Sequence, residues 1–294
     1  MILFRKLSIV FFLSLLIAFT FSSCKKTEEV AIANNTSPAD NTISELTKKN
    51  YVNKVYISVL GREPDATELI SDLALLNTDN FSVTKRNEFV LKVLNKPGYD
   101  FRNFTVAMDE TLNGTDTSSM NEFIAIFSSL LSNTSYMSQW PAIAAELHKL
   151  ILLHNLPAAL EGDSIDIIGM HKRCVYNYFY DQINMGTANF VTATFQNFCF
   201  RYPTDNELNN CIAMVDGQNS SLFFQIGNSK QDFMDIFFNS DNYFEGQVRE
   251  LFLRYLFRVP TSEEMSSYTL QYKSNHDYKA LQKRILSLDE YVGI

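Results

Sequence analysis

YVNKVYISVLGREPDATEL, from Tyr51 to Leu69, decides the fold, because the chain writes it three times. The second copy is FVTATFQNFCFRYPTDNEL, Phe190 to Leu208, and the third is QVRELFLRYLFRVPTSEEM, Gln247 to Met265. The three align without a gap, the mark of one supersecondary unit used repeatedly. Val52, Val55, Tyr56 and Val59 recur at i, i+3, i+4 and i+7, which is one apolar helix face. Val191, Thr194, Phe195 and Phe198 repeat that face, and so do Val248, Leu251, Phe252 and Tyr255. Each copy then meets Arg-x-Pro, at Arg62-Glu63-Pro64, Arg201-Tyr202-Pro203 and Arg258-Val259-Pro260. Proline drives the residue before it out of helical geometry, so the first helix stops there. Asp65, Thr204 or Thr261 follows at once, with Glu68, Glu207 or Glu264 three residues on. That spacing is a capping box, which starts a second helix.

The second half of each unit ends alike. Leu94 to Tyr99, Phe238 to Tyr243 and Leu286 to Tyr291 each place a tyrosine five residues after a large apolar residue. The units therefore run over about 51–99, 190–243 and 247–291, each with two or three helices closed by a turn and an aromatic.

The string from Tyr56 to Asp65, YISVLGREPD, resembles the "LYR-LLGR-PD" helical domain of unknown function found in bacterial surface and secreted proteins. Ser240 to Tyr243 matches the Ser-x-x-Tyr turn that closes the unit in that family. The family is in turn distantly similar to phycobilisome linker domains, helical modules that hold other proteins together. The likeness covers roughly half of the chain beyond its leader and is strongest in the first unit. Phe200 and Tyr202 in the second copy, and Phe257 and Val259 in the third, replace the Gly and Glu of the motif. The resemblance implies an all-α scaffold and, because the family has no assigned catalytic residues, no chemistry.

Between the first and second units, a helical insert over 104–189 carries no repeat. Phe101 to Ser118 is polar and reads as a long loop. Ser119-Met120-Asn121-Glu122 reads as a capping box opening an apolar helix to about Leu131. Pro141 starts a second helix running to about His154. A third is expected from about Ser164 to Met185, with Gly186 as its C′ glycine. Period-two alternation bounded by turns is absent, so no sheet is expected. The expected fold is an all-α, elongated multi-helix domain over 47–294, built from repeated helical hairpins, with about nine to eleven helices.

The chain opens with a leader. Arg5 and Lys6 form a positive n-region, Leu7 to Phe21 an apolar h-region, and Ser22 and Ser23 lead to Cys24. At about 1.5 Å per residue the apolar run spans roughly 22 Å, short of a ~30 Å hydrocarbon core. Phe21-Ser22-Ser23-Cys24 resembles the lipobox of bacterial lipoproteins, in which the Cys is acylated and becomes the N-terminus. That resemblance implies a signal peptide over 1–23 and a lipid anchor on Cys24. Lys25, in place of an inner-membrane retention Asp, implies the outer membrane. Residues 24–46 are too polar to order themselves and read as a tether.

The net charge is −8, and loss of Arg5 and Lys6 with the leader takes it to about −10. An acidic body argues against nucleic acid, which needs clustered Lys and Arg. Cys174, Cys199 and Cys211 are too widely spaced for a CxxC metal or haem pattern; they read as small buried hydrophobes, with a disulfide between the nearest pair, Cys199 and Cys211, as the alternative that secretion permits. His148 and His154, six apart, do not share a helix face, and His276 stands in a polar stretch. His171 follows Asp166 by about one turn and is the one histidine with a nearby carboxylate. Glu161, Asp163 and Asp166 form an acidic corner without the Asp-x-Asp-x-Asp-Gly loop of a calcium site, so neither metal nor cofactor is expected.

Arg62, Arg201 and Arg258 recur at one position. They either display a repeated interaction face or serve their own helix ends through the last carbonyls or the capping Glu. Tyr176, Tyr178, Phe179, Tyr180 and Phe190 form an aromatic region that fits core packing or sugar stacking. The expected role is a lipid-anchored envelope scaffold or adhesion-like module without catalytic activity. Its partners would be the outer membrane, through the anchor, and an envelope protein or surface polymer. The alternative is an envelope enzyme or glycan-binding lipoprotein centred on the aromatic region, Asp166 and His171.

Overall fold

Ser44 accepts a hydrogen bond from the Thr47 amide and so caps helix α1, Glu45–Leu60, which starts just ahead of the boundary expected at 47. The computed structural model describes residues 43–294; the leader, Cys24 and nearly all of the tether lie outside the described residues. Helices α2 (Ala66–Asn77) and α3 (Val83–Leu94) complete the first unit. The insert follows as α4 (Tyr99–Leu112), α5 (Thr117–Ser132), a 3₁₀ turn (Thr134–Gln139) and α6 (Trp140–His154). It ends with α7 (Leu156–Glu161), α8 (Ile167–Val175) and α9 (Tyr178–Ile183). The second unit is α10 (Thr187–Cys199), α11 (Asp205–Val215), strands β1 (Ser220–Leu222) and β2 (Gln225–Gly227), and α12 (Lys230–Phe238). The third is α13 (Asp241–Leu256), α14 (Ser262–Asn275), α15 (Tyr278–Leu286) and α16 (Asp289–Val292).

The fold is all-α apart from one short hairpin. All three capping boxes form, with side chain to backbone and backbone to side chain both present at Asp65/Glu68, Thr204/Glu207 and Thr261/Glu264. Every residue of the three apolar faces is buried, and so are the closing tyrosines Tyr99, Tyr243 and Tyr291. Each unit has three main helices, the upper of the two numbers expected.

Several expectations need correction. Phe101 to Ser118 is not a loop: α4 occupies most of it and buries Asn103, Ala107, Met108, Thr111 and Leu112 on one face. The helix expected from Ser119 starts at Thr117, because Asp116, not Ser119, is the N-cap and accepts from the Ser119 amide. The single helix expected over Ser164 to Met185 is two, α8 and α9. Asn177 divides them: its buried amide donates to the Arg173 and Cys174 carbonyls while its oxygen caps the Tyr180 amide. Gly186 caps the start of α10 instead of ending a helix. No sheet was expected, yet β1 and β2 pair antiparallel about a Phe223-Phe224 turn. The described residues hold sixteen α-helices, more than the nine to eleven expected, because one expected helix divides into α8 and α9 and short helices such as α7 and α16 add to the number.

The units also meet one another. The third returns to the first: Tyr51 donates to the Leu286 carbonyl at 3.0 Å, and Ser58 and Tyr291 share a 2.9 Å hydrogen bond. The third crosses the second where α13 lies on α10 at Gly246. A Cβ built there would stand 1.7 Å from the Phe198 carbonyl oxygen, so only glycine permits this crossing.

Candidate functional site

The three repeated arginines occupy one repeated geometry. Arg62 holds both oxygens of Glu68 at 2.7 and 2.9 Å, Arg201 those of Glu207 at 2.7 Å each, and Arg258 those of Glu264 at 2.8 Å each. Each also donates to the carbonyl of the next residue. Each guanidinium lies over the ring six residues upstream: Tyr56 at 5.4 Å, Phe195 at 5.1 Å and Phe252 at 5.1 Å. The same Glu that caps the second helix therefore pins the end of the first. Bidentate pairing fixes orientation as well as charge. The arginine beside Glu264 holds its carboxyl down at about 2, and the arginines beside Glu68 and Glu207 also hold theirs low. The forks also reach beyond the turn: Arg258 pairs with Glu290, Arg201 donates to Asn242 at 2.9 Å, and Lys96 reaches Glu68 at 3.0 Å.

Asp166 and His171 are not brought together. Asp166 is the N-cap of α8; one oxygen accepts from the Gly169 amide and the other lies 3.9 Å from Nδ1 of His276. His276 sits just past α14 with φ 54° and stacks on Phe244 at 5.5 Å. His171 points inward instead, its Nδ1 2.9 Å from the Tyr243 hydroxyl and its ring 5.0 Å from Phe198. Burial, and then the Arg254 charge, push its pKa down to about 3. A histidine so held stays neutral at working pH and lacks a carboxylate to orient it as a base.

His171 belongs to a buried polar layer between α4, α8, α13 and α15. Arg254 bridges Glu250, one turn before it, and Glu110 at 2.9 Å. Burial raises the Glu250 carboxyl to about 7 against the pull of Arg254. Gln282 accepts from Tyr99 at 2.6 Å and donates to Tyr255 at 2.9 Å. The cavity among these groups is about 20 Å³, too small for a substrate. The sequence does carry one sign of this layer: Gln247, buried here, stands where the other copies have Tyr51 and Phe190. Glu110 and Tyr278 give no such sign.

An outer cleft of about 260 Å³ is lined by Asp100, Asp163, Asp166, His276, Asp277 and Lys279. Burial raises the Asp100 carboxyl. Among the described residues, no three His, Cys, Asp or Glu side chains gather closely enough for a metal ion. Of the acidic corner, Asp163 and Asp166 line this cleft and Glu161 does not. Cys174, Cys199 and Cys211 are buried free thiols, each pushed up to about 12 by burial. In the aromatic region Phe179, Tyr180 and Phe190 are core; Tyr176 and Tyr178 are half-buried. His148 is exposed, and His154 shares a 3.2 Å hydrogen bond with Asn155.

One feature of the insert was not legible as a site. From Thr117 to Ala145, Glu122 is the sole charged residue. This stretch forms an arm: α5 lies along α6, the 3₁₀ turn joins them, and the Trp140 indole donates to the Leu130 carbonyl at 3.2 Å. At the base Met120 is buried, and Phe123 and Phe127 meet Tyr178 at 5.1 and 5.4 Å. Further out, Leu130, Leu131 and Trp140 are half-buried, and Ile126 and Met137 are 44% and 56% exposed. Among the described residues, no third helix covers that seam. Among the described residues, no helix is long and apolar enough to cross a membrane.

The chain matches no protein-family model, no curated protein and no solved structure.

Proposed function

We propose that this chain is a lipid-anchored scaffold of the outer membrane, held by Cys24, whose α5–α6 arm engages another envelope protein or a surface polymer. The arm carries the reading. An acidic chain of net charge −8 keeps one long stretch almost free of charge and leaves its apolar seam half-covered. Uncharged apolar surface of this kind marks interaction sites. The repeat units supply a body in which each hairpin turn is pinned by its own ion pair, suited to holding that arm in place. The enzyme alternative lacks its central pair, since Asp166 and His171 face different surroundings.

Fractionation of cells carrying wild-type or Cys24→Ala protein tests the anchor. Wild type is expected with the outer membrane and Cys24→Ala in the soluble fraction; equal membrane retention of both would refute it. Protease treatment of intact cells then assigns the side. Digestion places the arm outside, and protection until the outer membrane is broken places it in the periplasm.

A further inference from the structure

The step from the second to the third main helix of the repeat differs among the units. Residues 78–82 join α2 to α3 and residues 276–277 join α14 to α15, but residues 216–229 join α11 to α12. The second unit fills this longer step with β1 and β2. Additions to a repeat project from one face, often the face that binds.

From Gly217 to Ser229 the added stretch has no Asp, Glu, Lys, Arg or His, in a chain of net charge −8. Its base is fixed to the body. Leu222 is buried, the Phe223 ring meets Phe195 at 6.2 Å, and the Asn228 side-chain amide donates to the Asn219 side-chain oxygen at 3.3 Å. The Asp232 carboxylate accepts from the Asn228 backbone amide at 2.9 Å and from the Ser229 hydroxyl at 2.8 Å. The tip stands clear. Phe224 is fully exposed, more so than any other large apolar side chain among the described residues, and Ile226 is 79% exposed. Phe223 and Phe224 both hold positive φ, 49° and 64°, which strains any residue with a Cβ. Contact with Phe195 offsets that strain at Phe223; no contact among the described residues offsets it at Phe224. Strain kept at an exposed aromatic points to a use outside the fold.

We propose that the tip of this hairpin, Phe224 and Ile226, dips into the surface of a lipid bilayer. Two side chains on three-residue strands fall far short of the roughly 1,200 Å² that a specific protein interface buries. A bilayer needs no matching surface, and its attraction scales with the apolar area it takes up. The missing charges suit it, since a carboxylate or ammonium at the tip would have to leave water. A two-stranded sheet leaves outer-edge amides and carbonyls unpaired, so the tip stops at the headgroup boundary. Two side chains alone hold lipid weakly, so the contact rests on the reading of Cys24 as an anchor. From Cys24 to Ile43 the chain reaches up to about 65 Å, at about 3.4 Å per residue. Attachment makes the second contact intramolecular and raises its effective concentration. The arm stays free for its own partner.

Tryptophan emission reads the contact. The chain from Cys24 onward keeps every described residue, and its other three thiols are buried. It is coupled through Cys24 to a maleimide lipid in phosphatidylcholine vesicles, which supplies the tether whether or not cells acylate that residue. Phe224→Trp carries the probe, and Leu270→Trp, at a 72% exposed position of α14, is the control. Wild type gives the contribution of Trp140, the one native tryptophan. The Phe224→Trp emission is expected to shift to the blue on coupling and to fall about twofold with brominated acyl chains, while Leu270→Trp does neither. Ile226→Trp takes its place if Phe224→Trp alters the circular dichroism. Two results would overturn the proposal: emission at 224 indifferent to coupling and bromination, as a tip meant for a protein pocket would give, or equal quenching at 224 and 270. A fractionation that finds no anchor leaves this vesicle result as it stands, so the two readings fail separately.

Discussion

The repeated hairpins and the insert's arm are both two helices joined by a turn, yet they are finished differently. In each repeat the Arg fork, the capping Glu and the ring beneath pin the turn, and the first helix buries its whole apolar face. In the arm the turn rests on Asn133, which accepts from the Ser135 amide, and on the Trp140 bond to Leu130. No ion pair pins its tip among the described residues; Lys149 and Glu146 pair nearer its base. Local ion pairs and caps thus make a hairpin self-sufficient, whereas the arm leaves apolar surface for something else to cover.

The largest expected effect lies where two repeats cross. Gly246→Ala would place a methyl group 1.7 Å from the Phe198 oxygen, against backbone that has nowhere to move. Loss of more than about 4 kcal/mol, enough to abolish a cooperative thermal transition, is expected. Two phenylalanines then measure the contrast itself. Phe195, fully buried under Arg201, should cost about 3–5 kcal/mol as Phe195→Ala, and half-buried Phe127 in the arm about 1–2 kcal/mol. Equal losses by denaturant titration would mean that the arm is as well packed as the repeats.

The acid limb of stability gives a third test. The folded pKa of His171 lies near 3, below its ordinary 6.5. Between these values the unfolded chain takes up a proton that the folded chain refuses. His171 therefore supports folding fully above about pH 6.5 and loses that contribution as pH falls towards 3. Glu250, raised to about 7, acts in the opposite sense, favouring the folded state more as pH falls from 7 towards 4.5. The difference between wild type and His171→Gln isolates the histidine: between pH 7 and 4 wild type should lose about 3 kcal/mol more than the variant. Parallel curves would place His171 in a wetter setting than the body provides.

The smallest effect separates one repeat from its copies. The residue before the repeated arginine is left-handed in all three: Gly61 at φ 70°, Phe200 at 55° and Phe257 at 56°. Phe257 is 82% exposed, so its ring repays little of that strain. Phe257→Gly should stabilise by about 1 kcal/mol, and Gly61→Ala should destabilise by about as much. Gly61→Ala also crowds the Arg102 side chain, at 3.2 Å from the added Cβ. Thermal melts of both variants decide it.

The repeats were legible because everything that makes them is local: an apolar face, a proline, a cap and its Glu within about twenty residues. The insert was less so. Helix α4 hides its periodicity by burying Asn103 and Thr111 beside Met108 and Leu112. The break at Asn177 depends on one amide serving two helices, which no neighbouring proline or glycine announces. The β-hairpin turns on Phe223 and Phe224, both at positive φ, where Asn-Gly is the usual sign. The candidate sites were hidden for a further reason. His276 approaches Asp166, and Arg173 and Met234 line one pocket, only because distant helices pack together.

The central claim is that the arm, and not the repeats, meets a partner in the envelope. Cysteine accessibility tests it most directly, through Ile126→Cys on the arm and Leu270→Cys on the exposed side of α14, which are 44% and 72% exposed in the wild-type residues. The three native thiols of the body contribute little background, being buried with pKa values raised to about 12. Purified protein should react with a maleimide at both positions. In isolated outer membranes the account predicts protection at 126 and continued labelling at 270. Equal labelling of both in the membranes would contradict it and leave the arm without a partner.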